Sequence, residues 1–128
     1  MLEKFEDLCG QIVTNIEVID GDRDNEIIFT LKNGEKYKLY HASDCCESVE
    51  IEDVCGDWND LIDTPILLAE EVEHESDTTP EGCEHKEYED SYTWTFYKLA
   101  TVKGYVTVRW YGESNGYYSE SVDWCKTK

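Results

Sequence analysis

His41, Asp44, Cys45, Cys46 and Glu47 put an imidazole, two thiols and two carboxylates within seven residues. A thiol becomes a nucleophile when a neighbouring base takes its proton, so Cys45 or Cys46 with His41 and Asp44 is where covalent chemistry would sit. The same side chains are metal-ligand types. Structural zinc sites, however, pair two separated Cys/His doublets, and adjacent cysteines do not both turn toward one tetrahedral ion without strain. His41, Cys45 and Cys46 therefore stand as the weaker, metal-binding alternative to a plainer expectation: buried thiols, with His41 and Asp44 as hydrogen-bond and turn formers. His74, Cys83 and His85 would add ligands only if the fold gathers them. No P-loop, G-x-G-x-x-G or H-E-x-x-H occurs, and no cofactor is expected. A thiol or metal-dependent enzyme is the third-ranked function.

A second set of residues suits binding. If Lys103-Gly104 is a two-residue turn, Val102 pairs with Tyr105 and Lys98 stands across from Arg109. Like charges opposed on one sheet face repel, which invites an anion between them. Trp94, Phe96, Tyr105 and Tyr111 share that face, and a turn at Asn115-Gly116 carries Tyr118, Glu120, Val122 and Trp124 onto it. Trp94, Phe96, Lys98, Arg109, Tyr111, Asn115, Tyr118 and Glu120 would then hold a small anionic, ring-bearing ligand such as a signalling nucleotide. The plainer alternative has Glu120 neutralise Arg109, leaving an ordinary ion pair over a core. Tyr97, Leu99, Val106, Val108 and Trp110 occupy the opposite face and read as core.

The third set is acidic. Of 128 residues, 30 are Asp or Glu against 11 Lys or Arg, a formal charge of -19. Eighteen of the acidic residues fall between Asp44 and Asp90, where Lys86 is the lone cation. Such a block is commonly a solvated face. Held on rigid elements, it can also imitate a phosphate backbone and engage a basic protein, gaining association rate by long-range attraction. Asp44, Glu47, Glu50, Glu52, Asp53, Asp57 and Asp60 are the candidate partner-binding carboxylates, with Trp58 as an apolar anchor. Two arginines, Arg23 and Arg109, and nine lysines are too few to track a nucleic-acid backbone.

These residues need strands to position them. Ser91 to Trp124 is crowded with Thr, Val, Tyr, Trp and Phe and reads as three antiparallel strands. Gln11 to Asp20, Glu26 to Leu31 and Lys36 to His41 read as another three, with Gly21 to Asn25 and Asn33-Gly34 as turns. Between the meanders lie a short strand around Val49 to Cys55, a short helix near residues 56–63 and a strand over Ile66 to Val72. Leu2, Phe5, Leu8 and Cys9 have helical spacing before Gly10, predicting a short N-terminal helix. The expectation is a β-rich α+β fold in one domain, residues 1–128: two three-stranded antiparallel meanders forming a sandwich or partly open barrel, with residues 73–90 a solvated acidic loop or hairpin tip. No apolar run is long enough to cross a bilayer, and Met1 to Asp7 lacks the basic-then-apolar order of a signal peptide. A cytoplasmic protein with free rather than paired cysteines is expected, and a homo-oligomer fits two apolar sheet faces.

His41-x-x-Asp44-Cys45-Cys46-Glu47, Glu52 to Asp57, Pro65-Ile66-Leu67-x-Ala69-Glu70-Glu71 and the long block WTFYKLATVKGYVTVRWYGESNGYYSESV resemble an uncharacterised family of small proteins encoded by bacteriophages and prophages. The resemblance spans residues 37–124 apart from 73–90. It implies a non-structural phage protein acting in the cytoplasm of an infected bacterium, of the kind that binds and disables a host factor, a defence protein first among them. The expected function is thus a non-catalytic inhibitor with an acidic surface for a basic host protein, and the small-ligand sequestering protein is the alternative.

Overall fold

The computed structural model describes residues 2–20, 25–41, 48–75, 91–114 and 121–127. Eight strands run in chain order as β1 (Val13–Asp20), β2 (Asn25–Leu31), β3 (Lys36–Tyr40), β4 (Ser48–Gly56), β5 (Leu68–Glu75), β6 (Ser91–Thr101), β7 (Gly104–Ser114) and β8 (Asp123–Thr127). They form two antiparallel four-stranded sheets, ordered β1-β2-β3-β8 and β4-β7-β6-β5. The β-rich, two-sheet expectation holds, and the sheets do not close into a barrel.

The first meander is the one read from sequence. Along β2 every second residue, Asn25, Ile27, Phe29 and Leu31, is buried, as period-two alternation requires of a strand with one face on a core. The β2–β3 connection is a three-residue loop. Leu31 N–H donates to the Glu35 carbonyl at 2.8 Å, and Gly34 takes the left-handed φ of 92° that this loop needs at its last position.

The second meander is corrected in its third strand. β8 leaves β7 and pairs with β3, Trp124 standing opposite Leu39. Aromatic packing explains the choice: the Trp124 ring stacks on Tyr37 at 5.3 Å, meets Phe5 edge-on at 5.7 Å, and its indole N–H donates to the Leu2 carbonyl. β7 is flanked instead by β4, whose Val49, Ile51 and Val54 pack toward the core.

The β6–β7 turn is also shifted. Thr101 pairs with Gly104, so Val102-Lys103 and not Lys103-Gly104 makes the turn. Thr101 Oγ1 accepts from the Lys103 N–H at 3.1 Å and donates to the Asp60 carbonyl, while Lys103 Nζ donates to the Ile62 carbonyl at 2.8 Å. Gly104 serves close approach: a Cβ there would lie 2.6 Å from Asp60 Oδ2.

Both predicted helices are single 3-10 turns, Phe5–Leu8 and Trp58–Leu61. The first is short because the chain turns extended at Cys9 and, past Gly10 at φ 90°, bridges Ile12 to Pro65. Its Phe5 lies between the sheets, 4.7 Å from Tyr97 of the second and 6.4 Å from Phe29 of the first. Residues 76–90 of the anticipated acidic tip lie outside the described residues, and Glu73 to Glu75 belong to β5.

Candidate functional site

The outer face of the second sheet holds the cation and aromatic candidates, and β6 and β7 place them there by strand parity. Trp94 pairs with Tyr111, Phe96 with Arg109, Lys98 with Thr107 and Ala100 with Tyr105. Val122 and Trp124, expected on this face as well, pack instead against the main core, Trp124 on β8 of the first sheet. Tyr97, Leu99, Val106, Val108 and Trp110 are core on the other side, and the part of the face contributed by β6 and β7 is as expected. The pairing of Lys98 with Arg109 is not: the turn at Val102-Lys103 slides the register by two residues. Each cation instead meets an acid from a flanking strand, Asp53 of β4 opposite Arg109 and Glu70 of β5 opposite Lys98. Opposite charges across a ladder attract, which removes the repulsion that would have called for an anion.

Arg109 is engaged closely. Its Nη2 donates to Glu52 Oε1 at 2.8 Å and lies 3.8 Å from Asp53 Oδ2. A β-bulge between Ile51 and Asp53 brings both acids to the same guanidinium, since the extra residue re-aims its side chain. The Arg109 guanidinium also sits 5.5 Å from the Trp94 ring. Beyond it Tyr92, Trp94 and Tyr111 form a second cluster, 4, 1 and 2% exposed, with Phe96 against it. The aromatic end of this face is thus packed, and these rings do not line an open site. Asn115, Tyr118 and Glu120, including the Glu120 neutralisation of Arg109, lie outside the described residues. Lys98 is exposed.

The acidic candidates separate into two kinds. Asp57 caps the Trp58–Leu61 turn by accepting from the Asn59 N–H at 2.9 Å, Asp60 packs on Gly104, and Trp58 is half-buried against the main core. These three are structural in their contacts. Glu50, Glu52 and Asp53 are exposed along β4. Sequence reasoning passed over Glu70, Glu71 and Glu73, exposed along β5, although the acid-rich strand prediction over Ile66 to Val72 was the signal for them. β4 and β5 are the two margins of the sheet, so its carboxylates flank the central β7–β6 pair on both sides. Burial pushes the Tyr97 phenol well above its ordinary value and the nearby Glu71 and Glu73 carboxylates add to the rise, so this group stays neutral beside them. Asp44 and Glu47 lie outside the described residues.

Of the candidate reactive set, His41 alone is described. Its Nδ1–H donates to the Ser121 carbonyl at 2.7 Å, tying the end of β3 to the segment that enters β8. Cys45 and Cys46 lie outside the described residues. Cys9, Cys55 and Cys125 are free thiols; Cys9 and Cys55 are exposed rather than buried, the Cys9 thiol reaching the Leu67 carbonyl at 3.4 Å. No group of three or more His, Cys, Asp or Glu able to hold a metal occurs among the described residues. A shallow depression of about 300 Å³ lined by Gly10, Gln11, Ile12, Lys32 and Asn33 contains none of the candidates. No helix among the described residues is long and apolar enough to cross a membrane.

Comparison with known proteins gives no match among curated proteins or solved structures. A family model described as a domain of unknown function, DUF7448, matches residues 6–124, which takes in every strand but the end of β8. By that match over most of its length, the chain belongs to the DUF7448 family.

Proposed function

We propose that this protein is a non-catalytic binding protein that captures a partner of opposite charge through the carboxylate-bearing margins of its second sheet. The observation that carries the reading is the placement of three exposed acids on each margin, Glu50, Glu52 and Asp53 on β4 and Glu70, Glu71 and Glu73 on β5. Acids fixed on paired strands keep their spacing, and a field from a body of charge -19 raises the encounter rate with a basic surface. The resemblance to phage-encoded proteins supplies the setting: a basic host protein, a defence factor in particular, bound and disabled in the bacterial cytoplasm. Sequestration of a nucleotide-like ligand draws less support, because Arg109 already meets Glu52 and Asp53 and the rings beside it are packed.

The test is capture from host lysate by immobilised protein at low and at high salt, beside a variant carrying Glu50→Gln, Glu70→Gln, Glu71→Gln and Glu73→Gln. A specific basic protein should be retained by the wild type, released as salt rises, and lost by the variant. Retention that is indifferent to both salt and the four substitutions would refute the reading.

A further inference from the structure

β1 pairs with β2 on one side only. On its other side the main chain is engaged at the start, where Val13 bridges to Ile62 and its carbonyl accepts from the Asp63 N–H at 2.8 Å. From residue 14 to residue 20 no described residue outside β2 hydrogen-bonds to the β1 main chain. An open ladder is a template for another strand unless charge, proline, a bulge or a covering segment blunts it. A bulge lies between Val13 and Asn15, but the register from Ile16 to Asp20 is unbroken. From residue 14 to residue 20 the charged residues are Glu17 and, at the strand's end, Asp20, and no proline occurs there.

Val18 and Ile19 are 40 and 39% exposed. Successive strand residues face opposite sides, so the margin is uncovered above and below. Val18 stands opposite Ile27, which is fully buried, and therefore projects toward the core side, yet it stays 40% exposed. The other margins differ in charge: among the described side chains β4 exposes Glu50, Glu52 and Asp53, β5 exposes Glu70, Glu71 and Glu73 after Leu68, and β8 exposes Asp123 and Lys126.

We propose that residues 14–20 of β1 dock an extended, basic segment of a partner protein, which adds to the first sheet as a fifth strand. Main-chain hydrogen bonds would supply affinity and alternate side chains the selectivity, as in other strand additions. The register dictates the segment's chemistry: Lys or Arg opposite Glu17, and apolar residues opposite Val18 and Ile19. A second copy of this chain fits poorly, since each copy carries -19. The surface is on the sheet opposite the acidic margins, and this inference does not rest on the function proposed for them.

A random dodecapeptide library selected on the immobilised full chain is the probe. Expected are peptides with Lys or Arg beside β-branched residues, whose binding weakens at least tenfold in Val18→Lys and Ile19→Lys but survives Val102→Lys, which makes the same apolar-to-lysine change at the exposed β6–β7 turn of the other sheet. Amide hydrogen exchange should slow at residues 14–20 on addition of a selected peptide. Far-UV circular dichroism confirms folding, and if Val18→Lys fails to fold, the outward-facing Ile19→Lys carries the test. The proposal is overturned if no peptide is enriched, if the enriched peptides are acidic, or if their binding ignores the folded variants. It is equally overturned if the wild type is a dimer that Ile19→Lys dissociates, which would make the occupant a second copy.

Discussion

At the margin of the first sheet, β1 leaves Val18 and Ile19 in water with Glu17 as the single charged residue from Thr14 to Ile19, whereas β4 and β5 line both margins of the second sheet with exposed carboxylates. The outer faces differ in the same way. In the second sheet Tyr92, Trp94 and Tyr111 are almost wholly buried on the side away from the main core, while Ile28 and Tyr40 on the first sheet's outer face are half-buried. The second sheet thus buries an aromatic cluster at one end of its outer face and carries acids at its edges; the first is half-buried on its outer face and, among the described residues, leaves the β1 main chain unpaired beyond Val13 on the side away from β2. Acidic edges resist indiscriminate strand pairing and attract cations from a distance, and a bare edge offers its backbone.

The largest effects should come from the two aromatic clusters. Phe5→Ala, which empties the space between the sheets, and Trp94→Ala, on the outer face, should each cost about 3–5 kcal/mol in urea unfolding. Ile28→Ala, outward on the first sheet, should cost roughly 1 kcal/mol or less. A Trp94→Ala cost as small as that of Ile28→Ala would erase the distinction between the outer faces.

Glycine substitutions separate close approach from strain. Gly56 has φ 109° and a Cβ there would fall 2.2 Å from the Tyr105 carbonyl oxygen, so the β4–β7 pairing must open to admit it. Gly56→Ala should lower stability by about 3 kcal/mol, and Gly10→Ala, with φ 90° but no heavy atom within 4 Å, by about 1 kcal/mol. Equal costs would mean that β4 and β7 are not held so tightly.

Within the second sheet, Arg109→Ala leaves Glu52 and Asp53 without their guanidinium and should cost about 1–2 kcal/mol. Glu50→Gln should fall within about 0.5 kcal/mol of wild type. If both are neutral in thermal unfolding, the paired and the exposed acids of β4 are energetically alike.

The smallest effect belongs to the first sheet. Glu35 Oε2 lies 2.7 Å from Lys126 Nζ across the β3–β8 edge, and hydrogen bonds from Lys126 and then Asn33 hold the Glu35 carboxyl below its usual 4.5. A lowered folded value means the contribution is complete above about 4.5 and is lost as pH falls through the lowered value. Lys126 is held above 10.5 by the same contact, so its share is complete below that value and lost as pH rises through the folded one. Acid unfolding of Glu35→Gln should therefore lack a small step between pH 4.5 and the lowered value that the wild type shows. Superimposable curves would remove the pair from the account of β8 docking.

Much of this was legible in the residues. β-branched runs and Asn33-Gly34 locate the first meander, and period-two alternation assigns both faces of β6 and β7 correctly, because parity survives a two-residue slip. The slip itself arose because Gly104 resembles a turn glycine when its role is to admit Asp60, a contact 44 residues back in the chain. The placement of β8 was equally out of reach. Trp124 is drawn away from β7 by Tyr37 and Phe5, and no local pattern encodes a preference set by residues so far away in sequence. The cation site suffered from the same blindness, since the acids that neutralise Arg109 arrive on β4 through a bulge.

The most direct measurement is the salt dependence of the dissociation constant for the captured basic partner, taken with the wild type and with the variant lacking the Glu50, Glu70, Glu71 and Glu73 charges. The wild type should weaken steeply as salt rises, and the variant should bind at least tenfold more weakly with a shallower slope, about 1.4 kcal/mol or more of lost affinity. Identical constants and slopes for the two proteins would contradict the acidic margins as the binding surface.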